Sequence, residues 1–177
     1  MRIIAGYLKG RIFDSPKARQ THPMADKIRG ALFNILGDIE GLHVLDAFAG
    51  SGAIGFEAIS RGAALVTLIE SDRVAQKMIV SNIHKLAVGK TAVLMTTSAD
   101  TWLDRYDDKF EIVIADPPYD DLQEVTIRRL ADRTKPGGIL ALSLPPVANI
   151  NLPSDYRVVI TRSYGDAQLR LYRRDRT

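Results

Sequence analysis

A short stretch with obvious chemical potential is Asp116-Pro117-Pro118-Tyr119, which ends the apolar run Ile112-Val113-Ile114-Ala115. An exocyclic amine on a flat heterocycle is a weak nucleophile, because its lone pair is delocalised into the ring. Two acceptors that draw its N–H bonds out of the ring plane release that lone pair. The Asp116 carboxylate and the Pro117 carbonyl are two such acceptors. Pro117 and Pro118 each fix φ and so hold the carbonyl still, and Tyr119 offers a ring face on which a base stacks. The plain alternative is a proline turn closing a strand.

A second constellation lies upstream. In Leu45-Asp46-Ala47-Phe48-Ala49-Gly50-Ser51-Gly52-Ala53-Ile54-Gly55, the glycines at 50, 52 and 55 form a G-x-G-x-x-G turn, and Glu70 follows Gly50 by twenty residues. That spacing satisfies the dinucleotide fingerprint, so an NAD(P) enzyme is one reading. Asp46, four residues before Gly50, opposes it, because a pyrophosphate would meet a negative charge there. A ligand with an amine and no phosphate suits it better, and S-adenosylmethionine is such a ligand. Glu70 then accepts from ribose hydroxyls, and Asp100 in Thr97-Ser98-Ala99-Asp100 accepts from the adenine amine. Phe48, Ala49, Ser51, Ser71, Asp72 and Ala99 complete the expected cofactor contacts. A packing turn explains the glycines alone, but it leaves three carboxylates at one sheet edge unexplained.

These residues need a scaffold that brings strand ends together. Short apolar runs at 42–48, 64–70, 91–97, 110–116 and 138–144 alternate with helical stretches at about 53–61, 72–87 and 120–133, with a shorter helix after Asp100. Strands apolar on both faces and joined by helices form a covered parallel sheet. The runs 156–164 and 167–174 meet through Gly165 and predict an antiparallel hairpin. The expected fold is therefore α/β, a Rossmann-like, mostly parallel seven-stranded sheet with that closing hairpin. Residues 2–13 predict two short strands turning at Gly6 and Gly10. Ile28, Ala31, Leu32, Ile35 and Leu36 recur at helical spacing, with a start at Asp26 and a stop near Gly37. Trp102 and Phe110 are expected in the core, and Asn82 and His84 on a solvated helix face. The division expected is an N-terminal extension at 1–40 on a domain at 41–177.

Composition bounds the function. The chain has 177 residues, 46% hydrophobic and 25% charged, the values of an ordinary single domain. It lacks Cys, which excludes thiol catalysis and disulfides, and its three His show no metal-ligand spacing. No signal peptide is expected, and the uncharged stretch 136–154 holds four prolines, so no membrane span is expected and the location expected is cytoplasmic. Residues 1–29 carry seven Lys or Arg against two Asp, and residues 157–177 six Arg against two Asp. Basic ends on a neutral body suggest a nucleic-acid footprint. Arg2, Lys9, Arg11, His22 and Arg29 are the candidate contacts.

Together these motifs resemble a class I methyltransferase, with Asp-Pro-Pro-Tyr as the amino-methyltransferase signature. More closely, the chain is similar to the RsmD-type 16S ribosomal RNA guanine-N2 methyltransferases. The similarity runs through the hairpin MRIIAGYLKGRIF, the helix DKIRGALFNIL, FAGSGAIGFEAISRGA, TLIESD, DPPY and SYGDAQLRLYRR. It implies methyl transfer to the N2 of a guanine in 16S rRNA, within a small-subunit assembly particle; a monomer without a metal is expected. The chain departs from the family pattern at His22-Pro23-Met24, at Gly30 and at Ser143. Three rivals stay open: an adenine-N6 amino-methyltransferase of DNA or RNA, a protein-glutamine methyltransferase, for which Asp116 is the wrong first residue, and a catalytically silent RNA-binding assembly factor.

Overall fold

A computed structural model of the chain describes residues 1–15, 23–148 and 150–176. Its elements run α1 (Pro23–Leu36), β1 (His43–Asp46), α2 (Ala53–Ser60), β2 (Leu65–Ile69), α3 (Arg73–Leu86), β3 (Ala92–Met95), α4 (Ala99–Leu103), β4 (Phe110–Ala115), α5 (Glu124–Ala131), β5 (Thr134–Leu144), β6 (Tyr156–Tyr164) and β7 (Ala167–Arg174). The strands form one sheet in the order β3-β2-β1-β4-β5-β7-β6. β1 to β5 run parallel to one another, while β7 runs antiparallel between β5 and β6. The chain order reverses between β1 and β4, so their carboxyl ends flank the crevice where such sheets bind ligands.

The short apolar strands are covered on both faces, and alternate residues point to opposite sides. Val44, Val66, Leu68, Ile112, Ile114 and Ala141 share a core with Leu32 and Phe33 of α1, Phe56 of α2 and Ile79 of α3. Leu45, Ile69, Val113, Ala115 and Leu142 face the other way, against Trp102 of α4 and Ile127 and Leu130 of α5. The same alternation puts Asp46, Glu70, Asp116 and Ser143 on the α1–α3 side, at the carboxyl ends of four adjacent strands.

Residues 1–15 form a tight hairpin with a single antiparallel bridge, Arg2 to Ile12, in place of the two strands expected. Gly6 and Gly10, with φ of 82° and 84°, make its tip. The hairpin is fastened to α2. The fully buried Glu57 carboxylate accepts from the backbone N–H of Ile4 at 2.8 Å and Ala5 at 3.0 Å, and pairs with Arg61 at 2.9 Å. Ser60 Oγ accepts from the Leu8 N–H and donates to the Ala5 carbonyl.

Other sequence expectations shift for local reasons. α1 begins at Pro23, three residues before Asp26, since proline suits a first helical turn. α5 begins only at Glu124, after Gln123 adopts a left-handed φ of 49°. Asn82 is fully buried rather than solvated: it accepts from the Asp14 N–H at 2.8 Å and donates to the Asp14 carbonyl at 2.9 Å, tying the hairpin to α3. His84 is exposed, and Trp102 and Phe110 are core. His22 lies outside the described residues.

Breaking one partner of a buried ion pair strands the other. Glu57→Ala should therefore cost about 3–5 kcal/mol. Urea unfolding measures that loss, and hydrogen exchange should show residues 1–15 opening before the sheet does.

Candidate active site

The glycine turn is shaped by what surrounds it. After β1 the chain keeps its ladder positions: Ala47 N donates to Ile114 O at 3.0 Å and Ala49 N to Ile69 O at 2.9 Å. This holds Phe48 half-buried between β2 and β4. Gly52 takes φ 79° at the mouth of α2, a conformation that L side chains rarely adopt. Gly55 is needed for contact: a Cβ there would lie 2.4 Å from Leu68 Cδ2. α2 thus lies directly on β2.

Asp46 is 1% exposed. Its Oδ2 accepts from the Gly55 N–H at 3.1 Å, and its Oδ1 has no hydrogen-bond partner among the described residues. Burial, with the nearby charges of Asp116 and Glu70, pushes its carboxyl from the ordinary 3.8 up to about 7, against the lowering effect of the Gly55 and Phe48 N–H groups. A buried carboxylate with one oxygen unmatched among the described residues and two acids nearby could hold a cation. The α-amino group of S-adenosylmethionine fits that requirement, and a pyrophosphate does not.

Glu70 clamps the same turn from β2. One oxygen accepts from the Gly50 N–H at 2.6 Å and the other from the Asp72 N–H at 2.7 Å. A carboxylate has about four lone-pair sites, so capacity remains for two ribose hydroxyls. Ser51 donates to the Met1 thioether at 3.3 Å, which brings the start of the hairpin to the turn. Asp72 Oδ1 caps α3 through the N–H groups of Val74 and Ala75, while Ser71 beside it is exposed. Ala99 is buried in the first turn of α4, next to Asp100. Asp100 Oδ1 accepts from Thr126 Oγ1 at 2.7 Å and pairs with Arg129 at 3.4 Å. Its carboxylate thus serves α5 as well as any adenine amine.

The β4 loop stands across the switch point. Asp116 is exposed, Pro117 buried and Pro118 exposed. Tyr119 is 38% exposed, and its hydroxyl lies 3.0 Å from Ser143 Oγ at the end of β5. Partial burial, with the charges of Asp116 and Asp166, raises the Tyr119 phenol, although its bond to Ser143 acts the other way. The Tyr119 hydroxyl is thus tied back to β5, and the side chain stays partly exposed. The sequence carries no signal for this bond, because a Ser at a strand end is unmarked until its partner is placed.

Of the expected nucleic-acid contacts, Arg2 and Lys9 are exposed, and Arg11 is exposed while donating to the Lys85 carbonyl. Arg29 is a correction. It is 4% exposed, pairs with Asp26 at 3.1 Å and lies 3.8 Å from Glu57, and donates to the Arg2 carbonyl. A guanidinium enclosed by hairpin and helix cannot reach a phosphate.

Comparison with known proteins places the chain in a family. The sequence model of the family described as Conserved hypothetical protein 95 matches residues 1–173. The chain belongs to that family. It is similar to Ribosomal RNA small subunit methyltransferase D of Escherichia coli (strain K12), at 40% identity over 134 residues, 75% of this chain and 67% of that protein. The protein of the same name from Haemophilus influenzae is 29% identical over 97% of this chain and 93% of its own length. Among solved structures, yhhF from Escherichia coli superposes with a TM-score of 0.89 at 32% identity, covering 100% of this chain and 99% of that one. Among the described residues no helix is long and apolar enough to cross a membrane, and no group of His, Cys, Asp and Glu is arranged to hold a metal.

The raised Asp46 carboxyl predicts a stability profile. Below about pH 4 the group is neutral in both states. Between about 4 and about 7 the unfolded chain has lost that proton while the folded chain keeps it. Stability contributed by this site therefore falls as pH rises through that window and is level above it. Urea unfolding should show wild type losing up to ~1.4 kcal/mol per pH unit relative to Asp46→Asn there. Parallel pH profiles for the two proteins would contradict the assignment.

Proposed function

We propose that the chain transfers a methyl group from S-adenosylmethionine to the exocyclic N2 amine of a guanine in 16S rRNA. The observation that carries this reading is the convergence of Asp46, with its unmatched Oδ1, Glu70 and Asp116 at the carboxyl ends of three adjacent strands, the last beginning Asp-Pro-Pro-Tyr. The name shared by the Escherichia coli and Haemophilus influenzae relatives, a methyltransferase of small-subunit rRNA, supports the substrate class.

S-adenosylmethionine, when bound, supplies an electrophilic methyl carried on a sulfonium. The chain's own residues do the rest by positioning and fixed electrostatics. Asp46 receives the cofactor's ammonium, and Glu70 receives its ribose. Glu70 and the left-handed Gly52 keep the turn closed around them. Asp116 and the Pro117 carbonyl accept the two N–H bonds of the target amine, so its lone pair leaves the ring's conjugation. Tyr119, held through Ser143, stacks on a guanine turned out of its strand. Once methylated, the nitrogen is acidic, and Asp116 is the acceptor at hand for its proton.

The same reading makes residues 1–40 a basic extension of a single domain, with Arg2, Lys9 and Arg11 toward RNA phosphates. The substrate is a small-subunit assembly particle in the cytoplasm, and the chain acts as a monomer without a metal.

The test is tritiated methyl transfer to small subunits from a strain lacking its own rRNA methyltransferases. Label should enter rRNA. Asp116→Ala should lower kcat on the order of 10²–10³-fold while calorimetry shows S-adenosylhomocysteine still bound and NAD unbound. Label in DNA would instead identify an adenine enzyme. Cofactor binding with no label would identify a silent assembly factor, and NAD binding alone would end the methyltransferase reading.

A further inference from the structure

The β6–β7 hairpin lies beside the catalytic loop, and its arginines have no role so far. Residues 157–177 carry six of them. Four are engaged by the fold. Arg157 pairs with Asp175 at 3.8 Å and Arg174 with Asp155 at 2.8 Å, while Arg173 donates to the Gly137 carbonyl and Arg170 to Gln168. Arg176 runs along Gly137 at the far end of β7. Arg162 is different: it is exposed, and it makes no hydrogen bond or ion pair among the described residues.

Strand register decides where Arg162 points. Ser143 of β5 is opposite Leu169 of β7, and Leu169 is opposite Arg162 of β6. Directly opposed residues of antiparallel strands share a face. Leu169 belongs to the core under α1–α3, so Arg162 projects on that side too. It is level with Ser143 and two strand spacings away, roughly 10 Å. Ser143 is the residue that holds Tyr119. The single cation of this hairpin without a partner among the described residues, apart from the distant Arg176, therefore stands beside the target pocket.

We propose that Arg162 is a substrate-binding residue that takes an RNA phosphate adjacent to the target nucleotide. A guanidinium matches a phosphate with two parallel hydrogen bonds. Such contacts fix the register of a strand and carry no sequence information, so Arg162 acts on substrate affinity and not on the chemical step. The competing role is a charge that guards the exposed edge strand β6 against pairing with other chains. An edge guard alters solubility and leaves rRNA affinity alone.

This inference rests on rRNA being the substrate, and the experiment separates the two claims. KM and kcat for small subunits are measured across a salt series for wild type, Arg162→Gln, Arg162→Lys and Arg157→Gln, an exposed arginine on the same strand at its other end. Arg162→Gln should raise KM roughly tenfold, with kcat within about twofold and S-adenosylhomocysteine affinity unchanged. The slope of log affinity against log salt should fall by about one. Arg162→Lys should recover part of the loss, and Arg157→Gln should behave as wild type. If wild type labels rRNA and Arg162→Gln matches Arg157→Gln in KM and salt slope, this inference is overturned alone. If wild type labels no rRNA, the functional reading fails and this inference falls with it.

Discussion

A carboxylate sealed at the end of β1 constrains everything around it. Asp46 is removed from water; its Oδ2 accepts from the Gly55 N–H, and its Oδ1 has no hydrogen-bond partner among the described residues. An acid kept there without an obligate cation carries an energetic penalty, which appears as the raised pKa. Gly55 must lack a side chain for its N–H to come close while α2 lies on Leu68. Gly52 must turn left-handed for α2 to start where it does. Asp116 and Glu70, at the neighbouring strand ends, add negative charge in place of relieving it. A ligand that carries an ammonium would offset that charge.

α2 links this edge to the rest of the molecule. Its first turn serves Asp46 through Gly55, and its last turn holds the N-terminal hairpin through Glu57 and Ser60. The hairpin returns to the glycine turn through Met1 and Ser51. Asn82 of α3 and Arg29 of α1 fasten its other side. A segment with a single β-bridge is therefore held by buried polar bonds from three helices, and its exposed basic side chains are carried on a fixed frame.

The parallel sheet was legible from sequence because its strands are short, apolar on both faces and separated by stretches of helical period. The acids at their ends were legible too, because a charge closing an apolar run has few structural reasons to be there. Polar residues whose partners are distant in sequence were not. Arg29 reads as one more basic residue of a charged N-terminus until Glu57, 28 positions on, is placed against it. Asn82 reads as solvated because its partner is the backbone of Asp14, which has no side-chain signature. Ser143 acquires meaning only through Tyr119, and Arg162 only through the register of two antiparallel strands.

The account turns on where a ligand's positive charge comes to rest. A crystal structure of the chain with S-adenosylhomocysteine tests this most directly. The amino group should lie within hydrogen-bonding reach of Asp46 Oδ1, directly or through one ordered water, with the sulfur facing the Asp116–Pro117 edge. An amino group held elsewhere, with Asp46 Oδ1 still unmatched and the sulfur turned away from that loop, would contradict it.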